Sequence, residues 1–222
     1  MGAVHRQDGG PVQAEQGKPA DSTAAPLNRV VLFGGTFDPP HVGHLTMAQL
    51  AWEQTGADEV WWLPAPVPPH KAHQQVDDYG GRVEMVRALI DGYPHLRLCD
   101  IEASLPKPSY TVDTVRALQT LHPRVSFSFL VGSDSLAQLP NWGRAQELAR
   151  AIPFWVAVRT GWPFDETYAA SRERLPELRA ERLEMPILDV SSTFLRERLA
   201  RGLPVCGLVP DRVLRVWNKI HA

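Results

Sequence analysis

Cysteine is nearly absent: the 222 residues contain two, Cys99 and Cys206. Two thiols cannot build a disulfide framework, and neither has a Cys-x-x-Cys partner or a zinc-spaced Cys or His beside it. They read as isolated buried thiols in a reducing compartment. An excess of basic charge is also missing. Lys and Arg number 23 against 25 Asp and Glu, for a formal charge of -2 with His neutral. Non-specific nucleic-acid binding is therefore not the main role, because it requires surplus cations to replace phosphate counterions. A local basic pocket for a small phosphate ligand stays open. No apolar run is long enough to span a bilayer, and the N-terminus lacks the apolar core of a signal peptide. A cytoplasmic protein without membrane or nucleic-acid partners is the expectation.

What the chain does have is an ordinary globular mixture, 44% hydrophobic and 22% charged, in a length that suits one α/β domain with a sizeable core. Residues 1–27 stand apart, rich in Gly, Pro, Ala, Gln and Asp and without an aromatic residue. Such a segment cannot bury enough apolar surface to offset its ordering entropy. It is expected to be a flexible extension preceding a domain over residues 28–222.

From there the hydrophobic period alternates between strand and helix. Val30-Val31-Leu32-Phe33 is an apolar run that ends in Gly34-Gly35. A helix begins near Val42 and carries Leu45, Ala48, Ala51 and Trp52. Val60-Trp61-Trp62-Leu63 is a second strand, and Val83, Val86, Leu89 and Ile90 mark a second helix. Leu96 to Ile101 alternates like a strand, and Val112, Val115 and Leu118 recur at helical spacing. Ser126 to Val131 and Ile152 to Val158 read as strands, residues 165–180 as a surface helix, and Pro186 to Val190 as a final strand. Helices near 192–201 and 210–220 complete the chain. This order predicts an α/β fold, a Rossmann-like, doubly wound and mostly parallel sheet with helices on both faces. Ligands of such sheets bind beyond the carboxyl ends of the strands, where strand order reverses.

The first motif occupies such a position. Gly34-Gly35-Thr36-Phe37-Asp38-Pro39-Pro40-His41-Val42-Gly43-His44 follows the first strand and opens the first helix. Paired glycines leave room for close approach to a phosphate, and a helix N-terminus supplies N–H groups and partial positive charge. His41 and His44, three apart, can face one ligand from the first turn. Two hydrogen-bonding imidazoles suit a phosphate whose charge shifts during reaction. No Gly-Lys-Ser/Thr follows, so this is not a Walker loop, nor is it a GxGxxG fingerprint. Two alternatives are a glycine turn with surface histidines, and a zinc site that uses the shared HxxH spacing of His41/His44 and His70/His73. Zinc would ordinarily require a Cys or carboxylate partner.

The second motif is Asp189-Val190-Ser191-Ser192-Thr193-Phe194-Leu195-Arg196. Ser191 or Ser192 is a good N-cap. Helical side chains lean toward the N-terminus, so Arg196 projects back over Ser192 and Thr193. Hydroxyls, N–H groups and a guanidinium would converge there, as a polyphosphate requires. A plain capped helix with a solvated Arg fits the motif equally well. Four other positions carry similar alternatives. Lys71, after Pro68-Pro69-His70, is either a phosphate ligand or a solvated lysine. Thr111, at the start of a helix, is a candidate cap. Asp134, after Gly132-Ser133, is either a ribose acceptor or a cap. Trp142 is either a stacking platform or a core residue.

The first string resembles the HxGH signature of the nucleotidyltransferase superfamily, and its longer form GGTFDPPHxGH is similar to bacterial nicotinate-nucleotide adenylyltransferases. The second motif resembles the family's ISSTxIR, with Val190 and Leu195 in place of two isoleucines. The resemblance runs from about residue 29 to the C-terminus, and the N-terminal tail has no counterpart in it. Leu105 and Lys107 stand where some relatives carry Arg and Gly. The resemblance implies transfer of AMP from ATP to nicotinate mononucleotide, giving deamido-NAD and pyrophosphate. His41, His44 and Arg196 would be catalytic. Gly34, Gly35, Thr36, Phe37, Gly132, Asp134, Arg159, Ser191, Ser192 and Thr193 would line ATP, with Ser192 and Arg196 on its β- and γ-phosphates. Asp38, Lys71, Tyr110, Thr111 and Trp142 would face nicotinate mononucleotide. Mg²⁺ would enter with ATP rather than sit in a protein cage, so no protein metal ligand is expected. A homo-oligomer is compatible with the resemblance. Competing readings are another adenylyl acceptor, such as phosphopantetheine or nicotinamide mononucleotide, and a non-catalytic nucleotide sensor.

Overall fold

A computed structural model describes residues 28–66, 76–106 and 110–222. Its six strands are β1 Arg29–Gly35, β2 Glu59–Pro64, β3 Leu96–Leu98, β4 Ser126–Gly132, β5 Phe154–Ala157 and β6 Ala180–Leu183. They form one sheet in the order β3-β2-β1-β4-β5-β6, and all five pairings are parallel. The order reverses between β1 and β4, which places the switch-point crevice at Gly34-Gly35 and Gly132.

The described helices are α1 Val42–Thr55, α2 Tyr79–Ile90, α3 Thr111–Leu121, α4 Ser133–Gln138, α5 Ala145–Ala151, α6 Phe164–Arg174, α7 Ser192–Ala200 and α8 Asp211–Ile220. Two separate apolar clusters show how they divide. Val31, Phe33, Val60 and Trp62 point to one face, where they meet Met47, Ala48 and Ala51 of α1, Met85 and Leu89 of α2, and Val213 and Trp217 of α8. Val30, Leu32, Trp61 and Leu63 point to the other, against Val112, Val115 and Leu118 of α3, Leu136 of α4 and Leu148 of α5. The period-2 geometry of a strand sends alternate residues to opposite faces. With both faces covered, the strands must be apolar throughout, which is why VVLF and VWWL show no polar alternation.

The structure corrects two expectations near the C-terminus. The surface helix ends at Arg174, not near 180. Pro176 follows, and the residue before a proline disfavours helical backbone. The chain then enters β6, which pairs with β5 at Phe154↔Ala180. That leaves no ladder role for Pro186 to Val190, which forms no strand. This segment is held instead by Thr160 Oγ1 donating to Asp189 Oδ2 at 2.5 Å and by Arg159 Nη2 reaching the Val190 carbonyl at 3.5 Å.

Candidate active site

The loop after β1 turns sharply. Phe37 adopts left-handed backbone, φ 54°, and Asp38–Pro39 is a cis peptide bond. The Phe37 ring is 2% exposed and lies edge-on to Phe33 with centroids 5.3 Å apart. Its burial under Gly35 holds the turn, because a Cβ at Gly35 would meet the Phe37 ring at 2.8 Å. Gly34 is similarly constrained, with Phe129 of β4 2.9 Å from a Cβ placed there.

The chain next delivers His41 as the N-cap position of α1. His41 is 1% exposed, and burial, with the Arg159 charge adding to it, pushes its pKa down to about 3. It is therefore a neutral imidazole at any physiological pH, and its Nδ1 is buried without a hydrogen-bond partner. The His44 ring lies against it, with centroids 3.8 Å apart and planes tilted 32°. The His41 backbone N–H donates to His44 Nδ1 at 3.3 Å, which assigns the His44 ring proton to Nε2. Gly43 permits this stacking, since a Cβ there would stand 3.0 Å from His41 Nδ1. The N–H of Val42 donates to the Leu208 carbonyl at 3.0 Å. The start of α1 is thus partly occupied rather than wholly open, as the sequence had implied.

The second motif closes on the first. Ser191 is the N-cap of α7, accepting from the Phe194 N–H at 3.2 Å. Ser192 Oγ donates to the Pro39 carbonyl at 2.9 Å, and Arg196 Nη1 donates to the Asp38 carbonyl at 2.6 Å. Arg196 does turn back over its own helix, with Nη2 3.4 Å from Thr193 Oγ1. The same guanidinium is 3.7 Å from the Asp38 carboxylate, which is fully buried. Burial first, and then the Asp77 carboxylate, raise the Asp38 pKa, while Arg196 opposes them.

Gly132, Asp134 and Arg159 meet at the end of β4. A Cβ on Gly132 would collide with the Asp134 carboxylate and come within 3.5 Å of Arg159 Cγ. The Arg159 N–H donates to Ser133 Oγ at 2.9 Å, and its guanidinium reaches Val190 beside the second motif. Tyr110 and Trp142, expected to face the mononucleotide, each have a packing contact of their own. Trp142 packs edge-on against Phe129, with centroids 6.5 Å apart, and Tyr110 covers Gly143 so closely that a Cβ there would enter its ring. Tyr110 is 36% exposed and occupies the N-cap position of α3, so Thr111 is the first helical residue rather than the cap. Lys71 lies outside the described residues.

Two residues near these loops carry no motif and went unread in the sequence. Arg82, in an apolar helix face, is 1% exposed. Glu102 accepts from Thr114 Oγ1 at 3.0 Å behind the first turns of α3, and burial pushes its pKa up to about 7. Their only sequence signal is a charged residue at an inward-facing position. Among the described residues no three His, Cys, Asp or Glu side chains converge as a metal site, and no helix is long and apolar enough to cross a membrane. The first two His residues of the HxxH pairs thus meet each other, while His70 and His73 lie outside the described residues.

Comparison with known proteins bears on this arrangement. Residues 32–198 match the cytidylyltransferase-like family. The chain is 42% identical over 195 residues to a probable nicotinate-nucleotide adenylyltransferase of Bacillus pumilus, covering 88% of this chain and 98% of that protein. It is 38% identical over 187 residues to the nicotinate-nucleotide adenylyltransferase of Bacillus subtilis, covering 84% and 94%. The fold is similar to that of the Plasmodium falciparum nicotinic acid mononucleotide adenylyltransferase complexed with NaAD. There the TM-score is 0.72 at 18% identity, over 86% of this chain and 95% of that one.

Proposed function

We propose a mechanism from the premise that the chain belongs to the nicotinate-nucleotide adenylyltransferases of the cytidylyltransferase-like family. The reaction is transfer of AMP from ATP to nicotinate mononucleotide. A phosphate oxygen of the mononucleotide attacks the α-phosphorus of ATP, the bond to the bridging α–β oxygen breaks, and pyrophosphate leaves with that oxygen. The nucleophile is already an anion, so no protein base is required. Catalysis is positioning and charge stabilisation.

One observation carries the assignment of residues: Ser192 and Arg196 are hydrogen-bonded to the loop that delivers His41 and His44, at the sheet's switch point. His41 acts as a neutral hydrogen-bond donor rather than as a cation, and His44 uses Nε2–H. Both stabilise charge on the phosphates in the transition state. Arg196, Ser192, Thr193 and the first-turn N–H groups of α7 hold the leaving pyrophosphate. Gly34, Gly35, Thr36, Phe37, Gly132, Asp134, Arg159 and Ser191 line ATP. Tyr110, Thr111 and Trp142 surround the nicotinate ring, and Asp38 and Lys71 serve the mononucleotide side. A divalent cation, Mg²⁺ in this reading, would accompany ATP without a dedicated set of protein ligands and would supply neutralising charge at the phosphates. The domain spans 28–222 and works in the cytoplasm.

The test is pyrophosphate release with Mg-ATP and, in parallel, nicotinate mononucleotide, nicotinamide mononucleotide and phosphopantetheine. Release that is far faster with the first supports the assignment. Preference for another acceptor keeps the phosphate site and overturns the ring-side roles, while no release with any acceptor favours a nucleotide sensor.

A further inference from the structure

Arg144 has no part in the mechanism above, yet its backbone is held in the left-handed region, at φ 57° and ψ 40°. Among the described residues only Phe37, in the first motif, shares a positive φ without being glycine. A residue with a Cβ is disfavoured there, and glycine is the usual choice. Apolar burial does not account for the exception, because the Arg144 side chain is exposed. Its guanidinium does have specific partners. Nη1 donates to Asp113 Oδ1 at 2.5 Å, Nε to Glu147 Oε1 at 2.9 Å and Nη2 to Glu147 Oε2 at 2.9 Å. Arg116 Nη2 donates to the same Glu147 oxygen at 2.5 Å. A single exposed ion pair holds little, but a two-pronged guanidinium–carboxylate pair inside a network of four charges fixes geometry.

The network joins two short segments. Asp113 lies in the first turn of α3, two residues after Thr111 and three after Tyr110. Arg144 is the N-cap residue of α5, two residues after Trp142, and Glu147 lies in the first turn of α5. Beside the fork, Tyr110 packs on Gly143. The rest of the α3–α5 pair is held by other means. Gln119 Nε2 donates to the Ala151 carbonyl at 3.2 Å, and Val115 and Leu118 are buried in one apolar cluster with Leu148 and Ala149. The fork therefore fixes the end of the pair that carries Tyr110, Thr111 and Trp142, not the pair as a whole. Neither segment contains a residue assigned to ATP, and Arg159 on the ATP side bonds to Ser133 and Val190 instead. We propose that Arg144 is a positioning residue for the acceptor ring, setting the spacing between Tyr110 and Thr111 on α3 and Trp142 ahead of α5. The proposal rests on the reading that these three residues surround the nicotinate ring.

The experiment measures the KM of each substrate for wild type, Arg144→Gly, Asp113→Asn and the double variant. Glycine accepts the left-handed backbone without penalty, so Arg144→Gly removes the fork and leaves the turn unstrained. The expected result is a nicotinate mononucleotide KM raised at least about fivefold, the effect of losing two coupled ion pairs, with the ATP KM within about twofold of wild type. General loosening of the fold would not give that split. Asp113→Asn raises the mononucleotide KM as well, and the double variant raises it no further than Arg144→Gly alone, because both changes remove one clamp. Mononucleotide KM values near wild type, or KM values for both substrates that rise together, overturn the proposal. An Asp113→Asn variant with an unchanged mononucleotide KM also overturns it, since Arg144 would then touch the ligand directly rather than act through α3. Should Arg144→Gly fail to fold, Asp113→Asn alone decides by the same split between the two substrates. A wild-type enzyme that does not turn over nicotinate mononucleotide overturns the underlying reading, and the proposal with it.

Discussion

Burial of His41 makes the stability of the free enzyme depend on pH in a predictable way. The folded protein holds this imidazole at a pKa of about 3, against 6.5 for an exposed histidine. Below pH 6.5 the unfolded chain therefore binds a proton that the folded chain refuses, and stability falls as pH drops. The loss begins near pH 6.5 and continues until the pH reaches the folded value of about 3. At pH 5 the gap is about 1.5 units, and at about 1.36 kcal/mol per unit the cost is about 2 kcal/mol. His41→Asn removes the titrating group and keeps a polar side chain of similar reach. Urea unfolding followed by tryptophan fluorescence gives the free energies of both proteins, provided the slope with denaturant is unchanged. The wild-type value minus the variant value should be flat above about pH 7.5 and lower by about 2 kcal/mol at pH 5. Titrating groups that do not touch His41 cancel in that difference. Parallel profiles for the two proteins would refute the burial argument.

Gly43→Ala should uncouple stability from activity. Alanine favours a helix by about 1 kcal/mol over glycine, but its methyl would stand 3.0 Å from His41 Nδ1. Thermal melting should show no loss of stability, while kcat falls by at least about tenfold because the imidazole is displaced. Gly143→Ala drives a methyl into the Tyr110 ring, and steady-state kinetics should show a higher KM for the mononucleotide with that for ATP unchanged. Arg196→Lys keeps the charge and loses the fork that spans the Asp38 carbonyl and Thr193 Oγ1. At about 2 kcal/mol for a hydrogen bond to a charged group, kcat/KM for ATP should fall about 30-fold.

The strands were legible because both faces of the sheet are covered, so that VVLF and VWWL leave no ambiguity of period. The two motifs were legible because each joins a turn to a helix start within about ten residues. Their contact was not, since Arg196 and Asp38 lie 158 positions apart and only the strand order brings them together. The misread Pro186 to Val190 has strand-like composition, yet the ladder position beside β5 was already filled by Ala180–Leu183. The sequence Ala-Glu-Arg-Leu carries too little apolar pattern to announce an edge strand. Arg82 and Glu102 escaped for a related reason. A charged residue in a helix or turn is ordinarily a solvated one, and only the fold shows that these two point inward.

Transition-state stabilisation by the paired imidazoles is the centre of the account, and His44→Ala tests it most directly. Single-turnover kinetics with Mg-ATP and nicotinate mononucleotide give the rate of the chemical step, and titration with a non-hydrolysable analogue gives the Kd for nucleotide. The account predicts a rate lowered by about 10²- to 10³-fold, the range for removing one preorganised donor, with the Kd changed by less than about threefold. Equal and modest changes in both would mean that the two histidines bind ATP without favouring its reaction.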